Sequence, residues 1–126
     1  MNPTLILVGR VLLSIIFIVA GFGKLTGAEG FAGYLGSLGF PAPLAMAYLT
    51  GAFELFGGLA ILAGFQTRVV AIALAAFCVA TGLLAHLAEP NVLMKNIALA
   101  GGFLVLAGSG AGAVAVDKAK RESRYA

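Results

Sequence analysis

Thr50-Gly51-Ala52-Phe53-Glu54-Leu55-Phe56-Gly57-Gly58 sets one carboxylate near the middle of the apolar run 44–63. A run of about 20 apolar residues is what a helix needs to cross a bilayer. An ionisable side chain at such depth costs roughly 2.5 to 3.5 kcal/mol on insertion scales unless it faces protein or water and meets a partner. Glu54 therefore needs an inward face. In helical steps, Ala47, Gly51, Glu54 and Gly58 recur at i, i+4, i+7 and i+11, so the carboxylate shares a stripe with small residues. Small residues on a membrane helix let a neighbouring backbone come close. The stripe is expected to pack inward, and Phe53, Leu55, Phe56 and Leu59, largely off it, are expected to meet lipid.

The rest of the composition agrees. Of 126 residues, 61% are hydrophobic and only 10% charged, far from the roughly 45 to 50% apolar content of a soluble domain. This is an integral membrane chain. Its net charge of +3 comes largely from Lys118, Lys120, Arg121 and Arg124. A basic tail, 117–126, after a hydrophobic segment reads as a cytoplasmic surface anchor, not as a nucleic-acid arm. The single cysteine, Cys78, lies in an apolar run, so no internal disulfide, CxxC pair or Cys-rich metal site is available. Any redox centre has to be borrowed.

Four apolar segments follow, about 5–23, 44–63, 69–87 and 92–109, and they predict an all-α transmembrane four-helix bundle forming one domain. The first lacks a basic leader, carries Arg10 and precedes three similar segments, so it is taken as a retained helix, not a signal peptide. An even number of spans puts both termini on one side with Arg68. Lys24 and Lys95 alone edge the other side. The positive-inside rule then places both termini in the cytoplasm of a bacterial-type inner membrane. In the first outer loop, Phe31, Tyr34, Leu35 and Leu38 fall at i, i+3, i+4 and i+7, ahead of Gly39 and Pro41, which predicts a short interfacial helix over 31–38.

Two constellations can carry chemistry. Arg10 shares a helical stripe with Ser14, Phe17, Gly21 and Lys24. At about 1.5 Å per residue, Arg10 lies roughly 9 Å and Glu54 roughly 14 Å from the same side of the membrane. That offset predicts a buried Arg10–Glu54 ion pair, either purely structural or serving as a proton or anion site. At the opposite end, Lys24, Tyr34, His86, Lys95 and Asn96 reach similar depth and are expected to share an outer ligand pocket. A quinone would suit it, its carbonyls accepting hydrogen bonds from Lys95, the Asn96 amide or a His86 N–H. The other reading is that these residues terminate helices and touch headgroups. One histidine cannot supply a haem or metal pair, so no metal is expected.

At these residues the chain resembles the DoxX family of small membrane proteins. The matching pieces are Gly9-Arg10, Gly21 and Lys24, Gly39-Phe40-Pro41, Gly51 to Gly58 with Glu54, Gly64 and Thr67-Arg68, Lys95-Asn96, Gly101-Gly102, and Gly110 with Asp117. Ala115 departs from the pattern, standing where a serine is frequent. The resemblance implies a four-helix membrane bundle, in a family whose name derives from association with a terminal quinol oxidase or thiosulfate:quinone oxidoreductase. Three readings are open: an accessory subunit of a quinone- or thiol-linked redox system that binds a redox-protein partner or apolar ligand; a small proton or solute transport module using Arg10 and Glu54; and a structural assembly protein whose Gly-rich faces make a homo-oligomer.

Overall fold

In the computed structural model the described residues are 2–118, and they form five helices: α1 (Pro3–Thr26), α2 (Ala28–Ser37), α3 (Pro43–Ala63), α4 (Thr67–Ala85) and α5 (Pro90–Ser109). The expected tail therefore lies largely outside the described residues. All but α2 are long and apolar enough to span a membrane. We call the end with both termini and the 64–66 turn the terminal end, and the end carrying α2 the loop end.

Helix boundaries follow local chemistry that hydropathy does not register. The side chain of Asn2 accepts from the N–H groups of Thr4 and Leu5, and Pro3 sits in the first turn, where its missing N–H costs nothing. So α1 starts ahead of its apolar run. Lys24 lies in its last turn, where a cation suits the helix dipole. Gly27 separates α1 from α2, and the interfacial helix spans 28–37 instead of the expected 31–38. In the same way α4 ends at Ala85, leaving His86 as its C-cap.

The interior is polar and small at its centre, and the outside is greasy. Facing inward from α1 are Arg10, Ser14, Phe17 and Gly21, and from α3 Ala47, Gly51, Glu54, Gly58 and Ile61. Leu12, Val19, Leu49, Phe56 and Val105 are left on the outside, as lipid contact requires. Most packing is between α1 and α3 and between α4 and α5, with α2 laid on α3. The α1–α3 approach depends on Gly21: a methyl there would meet the Leu55 backbone nitrogen and lie 2.7 Å from the Gly51 carbonyl oxygen. Only glycine permits that closeness. The two helix pairs meet through aromatic rings, Phe17 on Phe103 (5.4 Å between centroids) and Phe53 on Phe77 (5.1 Å), with Leu74 and Leu106 filling the core beside them.

Candidate functional site

Glu54 is buried, and its partner is Lys24: Nζ lies 2.8 Å from Oε1. The expected Arg10–Glu54 pair does not form. Side chains on a helix lean toward its N-terminus, and α1 and α3 run in opposite directions. Arg10 thus leans to the terminal end, while Glu54 leans to the loop end and away from it. Lys24, one turn beyond Gly21, leans back down onto the level of Glu54. Gly51 makes room for its stem, since a methyl on Gly51 would lie 2.9 Å from Lys24 Cβ.

Arg10 finds oxygen elsewhere. Its Nε donates to the Ile61 carbonyl (3.0 Å), Nη2 to Leu62 (2.7 Å), and Nη1 to Ala111 (2.7 Å) and Val114 (2.6 Å). The first two are carbonyls of the last turn of α3, where Ile61 also accepts from the N–H of the capping Gly64 (3.2 Å). The others belong to the chain after α5. Asp117 completes the knot: its carboxylate accepts from the N–H groups of Gln66 (2.7 Å) and Thr67 (2.9 Å) at the start of α4. Gln66 stands at φ 48°, a strained position for a residue with a side chain, and this bond holds it. Arg68 Nη1 donates to the last carbonyls of α5, Ala107 and Gly108. At the terminal end, then, these charged side chains serve helix termini.

The loop end is built differently. Ala28, Ala32 and Leu35 of α2 pack on Ala47 of α3, which leaves Phe31 and Tyr34 to run across the bundle. Lys24 Nζ sits 4.7 Å from the centre of the Phe31 ring. Phe31 stacks on Tyr34 at 6.3 Å and Tyr34 on His86 at 6.1 Å. The Tyr34 hydroxyl lies 2.7 Å from the Ala85 carbonyl oxygen and 3.0 Å from Glu89 Oε1, either of which accepts its one proton, and His86 Nδ1 lies 3.0 Å from the same carboxylate oxygen. A continuous ladder therefore leads from Glu54 through Lys24, Phe31, Tyr34 and His86 to Glu89. Its His86 and Tyr34 bonds hold the Glu89 carboxyl below its ordinary value of 4.5. Burial first, and Glu89 second, push the Tyr34 phenol above 10.

Of the five residues expected in one outer pocket, the structure joins Lys24, Tyr34 and His86 through Phe31 and separates the other two. Asn96 turns into the α4–α5 contact, where its Nδ2 donates to Thr81 Oγ1 at 3.3 Å. Lys95, one residue earlier and about 100° around the helix, is exposed. Adjacent helix positions cannot both face one pocket. Glu89 and Asp117 were missed as partners. The i, i+3 spacing of His86 and Glu89 offered a signal; Asp117 bonds across fifty residues and offered none.

The chain's relatives fit this architecture. The family model described as DoxX matches residues 5–87. The inner membrane protein YqjF of Escherichia coli K12 is 43% identical over 118 residues, covering 90% of this chain and 89% of that protein. The inner membrane protein YphA of the same organism is 33% identical, covering 93% and 91%. "Putative oxidoreductase CatD" of Bacillus subtilis 168 is 43% identical over 63 residues, half of this chain and 46% of that protein. No solved structure matches significantly.

Proposed function

Since the chain belongs to the DoxX family, we propose that it works in a bacterial-type inner membrane as an accessory subunit of a quinone- or thiol-linked redox system, holding an apolar redox ligand or a partner protein. The observation that carries this reading is the Lys24–Glu54 ion pair beneath the Phe31–Tyr34–His86 roof. An ion pair in a membrane interior is costly to keep and is by default a functional position. Lys24 lies against the Phe31 ring, which stacks on Tyr34, and a cation beside flat rings suits a ligand with polar carbonyls, a planar ring and an apolar tail. Lys24 and the Tyr34 hydroxyl would donate to the carbonyls, and the tail would stay between helices. The name of CatD supports the redox part of the reading. With Cys78 as its single cysteine, the chain has no dithiol of its own, so the redox centre would belong to the ligand or partner.

The transport reading rested on an Arg10–Glu54 pair, and the geometry removes that pair. For the orientation we propose a cytoplasmic terminal end, because Arg68 and the cations after Asp117 resist translocation. The functional test is purification in mild detergent, with co-eluting molecules identified by mass spectrometry and visible spectrum. A retained quinone or redox protein, lowered per folded molecule in Lys24→Met and in Tyr34→Phe, is the expected result. A bare oligomer with neither would mark a structural assembly protein instead.

A further inference from the structure

We propose that the terminal end binds one anionic phospholipid, with its phosphate in a cleft at the start of α4 and an acyl chain in a groove between α3 and α4. The cleft has a volume of 660 Å³, and Thr67, Arg68, Ser109, Gly110, Asp117 and Lys118 line it. Among the described residues its charged lining is two cations against one carboxylate, and the N-terminus of a 19-residue helix adds partial positive charge. Asp117 takes the N–H groups of Gln66 and Thr67.

The second observation is Thr67 itself. It is 1% exposed, and its Oγ1 has no hydrogen-bond partner among the described residues. Within a helix a threonine hydroxyl turns back to the carbonyl four residues earlier, but the first residue of α4 has no preceding turn. Buried hydroxyls are nearly always bonded, so an oxygen acceptor supplied from the cleft is the partner this one lacks.

The groove identifies the rest of the ligand. It holds 410 Å³, its walls include Phe53, Phe56, Gly57 and Ala73, and it lies between two membrane-spanning helices. Val69 lines both cleft and groove, so a polar site at the membrane surface adjoins an apolar one within it. One molecule with an anionic head and a long apolar chain occupies both, whereas inorganic phosphate uses the cleft alone. Basic pockets between membrane helices are suited to such headgroups.

The test is native mass spectrometry of the full chain released from nanodiscs of equal phosphatidylglycerol and phosphatidylethanolamine. Wild type should retain phosphatidylglycerol preferentially, and Arg68→Gln should lower that retention about fivefold, the effect of one surface cation on an anionic headgroup. Arg68 also caps α5, so Ala73→Phe, which adds a ring to the wall of the groove, is the independent variant. It should lower retention of the diacyl lipid while leaving binding of inorganic phosphate unchanged. Equal retention of the two lipids by wild type, or wild-type retention by Ala73→Phe, would overturn the proposal. So would displacement of the lipid signal by phosphate in both wild type and Ala73→Phe, which would assign the cleft to free phosphate.

Discussion

At the terminal end charged side chains bond to backbone, and at the loop end they bond to one another. Arg10 grips four backbone carbonyls, two on the last turn of α3 and two in the segment after α5. At the loop end Lys24 pairs with Glu54, and Tyr34 and His86 share the Glu89 carboxylate, in each case through side chains that rotate. A side chain satisfied by backbone is committed to the fold. One satisfied by another side chain can exchange that partner for a ligand without unravelling a helix. The contrast is why the proposed redox site lies at the loop end, although Arg10 is the more deeply buried charge.

The sharpest way to break the comparison is at Arg10. Arg10→Leu orphans the ends of α3 and the segment after α5, and should lower stability by about 3 to 5 kcal/mol, the cost of removing one side of a buried charged network. Thermal unfolding in detergent would read it. Arg10→Lys should recover less than half, because an ammonium cannot reproduce the planar fork. Full recovery by lysine would mean that charge, not backbone capping, matters there.

A smaller effect is expected where α1 crosses α3. Gly21→Val should cost about 1 to 3 kcal/mol, since the added side chain meets the Leu55 backbone and the helices have to separate. Because Lys24 reaches Glu54 only while those helices stay close, the same variant should weaken ligand or partner capture per folded molecule. Gly23→Val, at a position with nothing within 4 Å of the added atom, should do neither. If both valines behave alike, close approach is not what positions the pair.

The smallest expected effect is on pH dependence. Glu89 has a lowered folded value, so the stability from its bonds is present above 4.5 and is lost as pH falls through the lower folded value. Tyr34 has a raised one, so its contribution is present below 10 and is lost as pH rises through the higher folded value. The protection of α2 amides, relative to their intrinsic exchange at each pH, should therefore be greatest between these limits and smaller on either side. In Glu89→Gln the acid limb should vanish, and an unchanged acid limb would mean that Glu89 does not hold α2.

Much of this was legible in the sequence, and what was not has a physical cause. The four spans and the two inward stripes come from 3.6-residue periodicity in a greasy background, and both stripes match the buried faces of α1 and α3. The partner of Glu54 did not follow from depth along the helix axis, because a rise of 1.5 Å per residue locates Cα atoms and not charged ends. Adding the lean of side chains toward the N-terminus selects Lys24 over Arg10. The division of Lys95 from Asn96 was also legible, since adjacent helical positions face different ways. Asp117 as the cap of α4 was not legible, because a contact across fifty residues leaves no local pattern.

The most direct measurement is a double-mutant cycle on unfolding in one detergent, with Lys24→Met and Glu54→Gln alone and combined, and the same with Arg10→Leu in place of Lys24→Met. The account predicts that Lys24 and Glu54 couple by about 2 kcal/mol, with the double variant recovering much of the loss of the worse single. Arg10 and Glu54 should add within about 0.5 kcal/mol, as residues without shared partners do. Coupling of Glu54 to Arg10, with additivity at Lys24, would contradict it.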